Sequence, residues 1–324
     1  MTWDGVPIPN IKPEQLSEAN FALFKKLAAK SERITKEDLE LSRGELLEKL
    51  HLFENGFLNR AGVLLFHDEP QRFMTGSSTK IGFFMTDTDL GYQDEITGSL
   101  FHQVDKAMEL LLTKYLIASI SYSGAYRVET LPYPQAAVRE ALINAICHKD
   151  YASGNPIQIS VYRDKIIVWN QGVMPERLNI EKLREKHPSI PFNPAIANTF
   201  FRAGLIEAWG RGTVKMIEDC TAYGIAEPIY KYDVGGFWIE FRSNVADAGI
   251  KNVGETSGKR RGNFGETSAK ILELIEANAY VTIPELALQI GVSERSIERN
   301  IQKLQEDGLL TRQGGAKGGR WSIL

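Results

Sequence analysis

The chain has 324 residues, 43% hydrophobic and 24% charged, which is the composition of a folded, water-soluble protein with room for two domains. A formal net charge of -3 and a pI near 6.1 exclude a protein coated in basic charge, so any nucleic-acid contact must come from a local patch. The two cysteines, Cys147 and Cys220, stand far apart in no paired spacing, which argues against a disulfide framework or a zinc site and fits a reducing cytoplasm.

Membrane and secretory segments are not expected. The chain does not open with a basic segment followed by an apolar core, and no apolar run reaches the roughly 18 residues that a membrane helix needs. We therefore expect a cytoplasmic protein with no membrane partner.

Residues 1–125 are predicted to form an α/β segment that packs on the domain after it. Apolar periodicity predicts helices at Pro13 to Lys30 and Arg43 to Leu50, and buried strands at Ala61 to Phe66 and near Lys80 to Met85. From Ile96 to Ile120, apolar residues at helical spacing predict one more helix that faces the core.

The block from Arg139 to Tyr151 places Glu140 and Asn144 one turn apart on an otherwise apolar helix, so their side chains point the same way. A glutamate can take a proton from water, and an asparagine oxygen can bind Mg²⁺ without adding charge beside a phosphate chain. Such a pair also occurs on solvated helix faces, so its interpretation depends on the residues that follow.

Two glycine turns follow in order. Apolar strands at Ile157 to Tyr162 and Lys165 to Trp169 form a hairpin that leads into Asn170-Gln171-Gly172. Later, Gly210-Arg211-Gly212 precedes an amphipathic helix, where glycines let backbone N–H groups approach an anion. Each turn alone reads as an ordinary loop, but one nucleotide pocket would explain both turns and the helix before them.

With this order of elements, the chain resembles the GHKL ATPase superfamily, whose Bergerat fold occurs in gyrase, heat-shock chaperone, mismatch-repair and histidine-kinase ATPase domains. Glu140 and Asn144 match its N box. A closer resemblance is to bacterial and archaeal transcriptional regulators often labelled RecG-type helicase-related, in which a GHKL-like domain follows an AlbA/Schlafen-type DNA-binding domain. The match runs from about Trp3 to Phe241 and is carried by Asn59 to Phe66, Pro132 to Pro134, Arg139 to Tyr151, Asn170 to Gly172, Asn193-Pro194 and Gly204 to Gly212. The AlbA-type domain itself is expected to be absent.

The resemblance implies an α+β fold, with a GHKL-like α/β sandwich and mixed sheet over residues 126–242, and ATP and Mg²⁺ as cofactors. It assigns Asn144 to Mg²⁺ and Glu140, the catalytic candidate, to positioning water. It places Asn170 and Gly172 on the base side and Gly210, Arg211 and Gly212 beside phosphate.

Two departures weaken the implied chemistry. Asn170 stands in the region where an aspartate usually contacts the adenine amino group, and its amide oxygen accepts a hydrogen bond without charge. The turn at Gly210-Arg211-Gly212 is shorter than the usual glycine-rich lid, although Arg211 offers a bidentate charge. Binding of ATP is therefore better supported than its hydrolysis, and helicase activity is not expected because neither an authentic Walker loop nor paired motor domains can be located.

Residues 243–266 are rich in Gly, Asn, Ser, Thr and charged residues, which predicts a flexible linker. After it, helices are predicted at Ala269 to Ala277, at Ile283 to Ile290, and from the cap Ser293 to about Asp307. Two short strands around a glycine-rich tip complete a small winged helix-turn-helix over residues 267–324.

The third of these helices is the predicted reader of a major groove. Ile297, Ile301 and Leu304 would face the small core, which leaves the opposite side to DNA. The residues expected to contact DNA are Arg295, Arg299, Gln302 and Lys303 on this helix, and Arg312, Lys317 and Arg320 at the hairpin. A winged helix can also dock proteins, and Glu294 and Glu298 on the same helix would repel phosphate.

These features together predict a DNA-binding transcriptional regulator with a GHKL-like sensor domain that binds ATP. Its partners would be double-stranded DNA and a nucleotide, and a homodimer would suit symmetric DNA sites. Two alternatives stay open: a DNA-associated ATPase, and a DNA-binding regulator on a degenerate scaffold that binds no nucleotide.

Overall fold

The computed structural model describes residues 2–123, 126–175, 178–207, 209–243, 266–306, 310–313 and 320–323. The chain divides into two compact units, Met1–Lys251 and Asn252–Leu324, and each has its own hydrophobic core. Among the described residues, no helix has the length and apolar character needed to cross a membrane.

The first unit combines eight α-helices with strands in its described part. The helices are α1 (Glu18–Ser31), α2 (Lys36–Glu40), α3 (Arg43–Lys49), α4 (Arg60–Phe66), α5 (Leu100–Leu110), α6 (Gln135–His148), α7 (Pro194–Arg202) and α8 (Gly212–Tyr223). The strands are β1 (Pro7–Ile8), β2 (Phe53–Glu54), β3 (Phe57–Asn59), β4 (Thr79–Thr86), β5 (Asp89–Ile96), β6 (Ser119–Ser123), β7 (Tyr126–Thr130), β8 (Ile157–Val161), β9 (Lys165–Gln171), β10 (Ile229–Asp233) and β11 (Gly236–Arg242).

A six-stranded mixed sheet in the order β10-β11-β9-β8-β4-β5 forms the centre of this unit. Its neighbours pair antiparallel except β4 and β8, which run parallel with Thr79 opposite Ile157 and Ile81 opposite Ile159. The crossover that a parallel pair requires contains α5 and α6. The α+β class with a mixed sheet is therefore confirmed.

The predicted boundary at residue 125 falls inside this unit. β4 and β5 precede that boundary and the other four strands follow it, yet all six belong to one sheet. The side chains of Phe24, Phe66 and Phe101 from the first segment and Phe200 from the second meet in one aromatic cluster. Residues on both sides of the boundary share one core, which holds α6 against the sheet.

The strand predicted at Ala61 to Phe66 is wrong, because these residues form α4. The Asn59 side chain caps this helix by accepting a hydrogen bond from the Gly62 backbone N–H at 2.8 Å. Every residue from Ala61 to Phe66 is buried. A short run that is apolar on all sides carries no periodicity, so sequence could not distinguish a buried helix from a buried strand.

Two predicted helices are shorter than expected. The first begins as a separate 3₁₀ turn at Pro13–Gln15, and α1 starts only at Glu18. The predicted helix from Ile96 to Ile120 corresponds to α5 and one π-helical turn, whereas Ile96 ends β5 and Ile120 lies in β6. The Ser99 hydroxyl fixes the start of α5 by accepting the His102 backbone N–H.

The second unit contains α9 (Glu266–Ala277), α10 (Ile283–Ile290), α11 (Glu294–Glu306), and the antiparallel strands β12 (Leu310–Gln313) and β13 (Arg320–Ile323). Thr282 and Glu285 form a capping box at the start of α10. Gly291 has a φ of +78°, which lets the chain turn sharply between α10 and α11. The predicted winged helix-turn-helix is confirmed, whereas most of the predicted linker, residues 244–265, lies outside the described residues.

Candidate functional site

Three side chains spaced by one helical turn follow one side of α6. Glu140, Asn144 and His148 are half-buried and line a cleft, whereas most of the remaining surface of the helix packs into the core. The Asn144 Nδ2 group donates a hydrogen bond to Glu140 Oε1 at 3.4 Å. The predicted juxtaposition of the carboxylate and the amide is therefore present, and His148 lines the same cleft.

Strand β9 brings Asn170 to the same cleft. Alternate residues of this strand, Ile166, Val168 and Asn170, are buried, so Asn170 continues a row of core residues to the end of the strand. The Asp150 backbone N–H donates to the Gln171 carbonyl at 2.8 Å, which ties the end of β9 to the segment that leaves α6.

Gly172 allows the turn after β9 to pack closely against the end of α6, because it has no side chain. A Cβ atom at this position would lie 2.7 Å from the His148 carbonyl oxygen, so a larger residue would separate the turn from α6. Gly172 is absent from the residues that line the cleft. It shapes the site through backbone packing, and its predicted contact with a nucleotide base has no support from this placement.

The start of α8 closes one end of the cleft. Gly212 is the first residue of this helix, and a Cβ atom on it would lie 2.0 Å from Glu140 Oε1 and 3.5 Å from Asn144 Nδ2. The carboxylate therefore lies against the backbone of Gly212. N–H groups in a first helical turn have no acceptor within the helix, and they are donors suited to an anion.

The cleft encloses about 1040 Å³ of empty space, counting its open mouth. Its polar end is formed by Glu140, Asn144, Gly210, Gly212 and Thr213. Most of the remaining wall is apolar and includes Met174, Pro175, Leu178, Leu183, Ile190, Pro191, Ala197, Ile206, Tyr230, Phe237 and Ile239. The other polar residues of the wall are His148, Asn170, His187, Ser189, Glu207 and Lys231. Five of the predicted nucleotide residues reach this wall, namely Glu140, Asn144, Asn170, Gly210 and Gly212, whereas Arg211 lines a neighbouring cavity.

Burial controls the charge of two groups in the cleft. It raises the pKa of Glu140, an effect that the nearby Arg139 and Lys215 charges and the Asn144 hydrogen bond oppose. Burial, with a smaller contribution from His187, lowers the pKa of His148 to about 4, so this imidazole is neutral at pH 7.

Replacing Glu140 with glutamine should stabilise the protein at pH 8 and have less effect near pH 5. Because the folded pKa exceeds the unfolded value, the folded chain binds more protons above pH 4.5, and its stability falls as the pH rises through the folded pKa. Glutamine removes the free-energy cost of burying a charged carboxylate, which should raise the Tm at pH 8 by roughly 2–4 °C.

The control for this comparison is Glu207→Gln, because the Arg211 hydrogen bond lowers the pKa of Glu207 and the sign is opposite. Thermal unfolding at both pH values gives the readout. An E140Q variant that is less stable than the parent at pH 8 would contradict the expectation.

The residues of the cleft could hold a magnesium ion only together with ligands that the protein does not supply, such as water and phosphate oxygens. Across the described residues, no three His, Cys, Asp or Glu side chains lie close enough together to hold a metal. Asn144 and Glu140 offer two oxygen-bearing side chains, and Mg²⁺ commonly completes its shell with water and phosphate oxygens. A metal held here would depend on a phosphate ligand.

Sequence reasoning missed several residues of the site. The His187 Nδ1–H donates to the Pro188 carbonyl at 2.9 Å, so Nε2 is placed to accept from the Thr213 hydroxyl at 3.1 Å. Tyr230 and Phe237 reach the wall from β10 and β11. No motif marked His187, whereas the apolar alternation of Phe237, Ile239 and Phe241 was visible as a strand pattern.

The candidate DNA surface lies on α11 of the second unit. Ile297, Ile301 and Leu304 are buried as predicted. The candidates Arg295, Arg299 and Gln302 are exposed, as are Arg312 and Arg320 of the hairpin, and the Arg312 guanidinium stacks 4.9 Å over the Trp321 ring. The side chain of Lys303 and all of Lys317 lie outside the described residues.

Two families match parts of this chain. Residues 154–241 match the family described as "Putative ATP-dependent DNA helicase recG C-terminal", and residues 266–311 match the family described as "Winged helix-turn-helix DNA-binding". The first match begins after α6, so Glu140 and Asn144 precede it. The chain therefore contains a RecG-C-terminal-like, ATPase-like domain followed by a winged helix-turn-helix domain, as the sequence and the resemblance together predict.

The fold is similar to that of the DIP2311 protein from Corynebacterium diphtheriae, known from a crystal structure, with a TM-score of 0.60 and 19% sequence identity. The alignment covers 100% of this chain and 64% of that one, so this chain spans under two thirds of that protein's length. At this identity the likeness concerns the fold alone. No curated protein matches the sequence.

Proposed function

We propose that this chain is a DNA-binding transcriptional regulator whose ATPase-like domain binds Mg-ATP in the cleft beside α6. The observation that carries the proposal is the meeting of Glu140, Asn144 and the start of α8 at one end of a cleft whose remaining wall is mostly apolar. A site with one polar end and apolar walls suits a ligand that has a charged tail and a planar base.

Each part of the cleft has a role in this proposal. The Asn144 Nδ2 group donates to Glu140, which leaves the amide oxygen as a ligand for Mg²⁺. The first turn of α8, from Gly212, offers N–H donors to phosphate. Asn170 supplies a neutral polar group toward the base, which predicts weaker adenine binding than a carboxylate would give.

Calorimetric titration with Mg-ATP tests the nucleotide part of the proposal. We expect saturable binding to the parent chain and at least a tenfold lower affinity for Asn144→Ala. The control is Asn155→Ala, because Asn155 is exposed and bonds to Gln171 without lining the cleft. Absence of binding to the parent chain would leave a winged-helix regulator on a degenerate scaffold.

An ATPase is the second candidate function, and the environment of Glu140 favours it. A general base works best when its pKa lies near the working pH, and burial moves the pKa of this carboxyl in that direction. The Glu140→Gln variant should then bind Mg-ATP while phosphate release stops. Equal phosphate release by both proteins would exclude Glu140 as the base.

A further inference from the structure

A second cavity adjoins the cleft and has a different chemical character. It holds about 570 Å³ of empty space and shares Glu140, Ile206, Glu207 and Gly212 with the cleft. Its other lining residues include four cations, which are Arg33, Arg139, Arg211 and Lys215. We refer to it as the basic cavity.

Two of its arginines are held by neutral partners. Arg33 donates to the carbonyls of Phe201 and Ile206, the first at 3.0 Å, and its guanidinium lies 4.4 Å from the centre of the Phe201 ring. Arg139 donates to the Leu205 carbonyl at 3.3 Å. A carbonyl positions a guanidinium without cancelling its charge, so these contacts leave both positive charges available to an anion.

The other two cations share one carboxylate. Glu207 lies 3.1 Å from the Arg211 guanidinium and 4.0 Å from the Lys215 ammonium. The remaining acid of the cavity is Glu140. Four cations therefore face at most two anions, and the cavity has an excess of positive charge beside the start of α8.

We propose that the basic cavity binds a phosphate group, supplied either by inorganic phosphate or by the terminal phosphate of a nucleotide held in the adjoining cleft. Guanidinium groups from the segment after α1, from α6 and from the loop before α8 line it, which suits a small dianion with several acceptor oxygens. Binding of a nucleotide's terminal phosphate rests on the proposed nucleotide function, whereas binding of inorganic phosphate does not.

Because Arg33 lies two residues after the end of α1 and precedes the family match, this site would join the N-terminal segment to the ATPase-like domain. An occupied cavity would therefore link residues on both sides of the boundary that the sequence suggested.

The test uses the full chain and a double variant, Arg211→Gln with Lys215→Gln, since both side chains are more than half exposed and are not part of the core. The matched control is Lys26→Gln with Lys30→Gln, which removes the same charge from α1, away from the cavity. Calorimetry measures inorganic phosphate alone, Mg-ATP and Mg-ADP at constant ionic strength, and circular dichroism checks the fold.

Support would be saturable phosphate binding by the parent and the control, at least tenfold weaker in the double variant. Competition with Mg-ATP but not Mg-ADP would identify the terminal phosphate as the occupant, whereas no competition would identify free phosphate. Without phosphate binding, a tenfold loss of Mg-ATP affinity with Mg-ADP unchanged also supports the site. Any result in which the double variant matches the control overturns it, while failure of Mg-ATP to bind the parent affects only the proposed nucleotide function.

Discussion

Replacing Gly210 with alanine is expected to lower the free energy of unfolding by about 3–5 kcal/mol. The backbone φ of Gly210 is +62°, which disfavours a side chain. A Cβ atom there would also lie 2.1 Å from the His187 carbonyl oxygen and 2.9 Å from the Ser189 backbone nitrogen. Both neighbours are backbone atoms, so the loop that contains Gly210 and the loop that contains His187 and Ser189 must move apart.

The same separation should lower affinity for Mg-ATP. The loop that alanine would displace contains His187, Pro188 and Ser189, which line the cleft, and His187 is bonded to Thr213 in the first turn of α8. Movement of this loop shifts the end of the cleft to which phosphate binding is assigned.

The matched control is Gly224→Ala at the other end of α8. Gly224 has a φ of +81°, but a Cβ atom on it would meet nothing within 4 Å. The Gly224→Ala variant should lose only about 1 kcal/mol of unfolding free energy, because its alanine must adopt a left-handed backbone conformation. Urea denaturation of both variants separates strain from overlap, and a Gly210→Ala variant within about 1 kcal/mol of this control would show that the loop accommodates the extra atom.

Removing both arginines of α11, with Arg295→Ala and Arg299→Ala, is expected to weaken binding to DNA of any sequence, because cations that neutralise phosphates supply most of the non-specific affinity. Both side chains are exposed, whereas Ile297 and Ile301 of the same helix are buried. Fluorescence anisotropy with a random-sequence duplex gives the affinity without knowledge of an operator. The slope of log affinity against log salt should become shallower by about 0.9 for each phosphate that the variant no longer neutralises.

The control with opposite charge is Glu294→Gln with Glu298→Gln on the same helix. These acids are exposed beside the arginines, so their removal should strengthen binding by reducing repulsion of phosphate. If neither double variant changes the affinity or its salt dependence, α11 does not face DNA. The domain would then be a protein-docking module.

Local patterns determined the parts of this molecule that depend on neighbours in sequence. The four-residue spacing of Glu140 and Asn144 fixes them on one side of α6, because a helix returns to the same face after about one turn. In the second unit, the cap Ser293 and the spacing of Ile297, Ile301 and Leu304 identified the third helix and the face that it turns to the core.

Local patterns failed where tertiary burial removes periodicity. Residues 61–66 are buried on all sides as α4, so nothing in their order distinguishes helix from strand. The predicted helix began too early because Ile96 fits the apolar helical spacing although it ends β5. Gly98, with a φ of +94°, and the Ser99 cap separate the strand from α5.

The tertiary structure alone decided what the site contains beyond its motifs. Arg33 reaches the basic cavity through bonds to the carbonyls of Phe201 and Ile206, which are distant in sequence, and His187 is placed by Thr213, 26 residues later. Such contacts arise from packing between distant elements and leave no spacing in the sequence. The sequence by itself thus determined the domain types and the pair on α6, whereas the size of the cleft, its apolar wall and its basic neighbour depend on how distant elements pack.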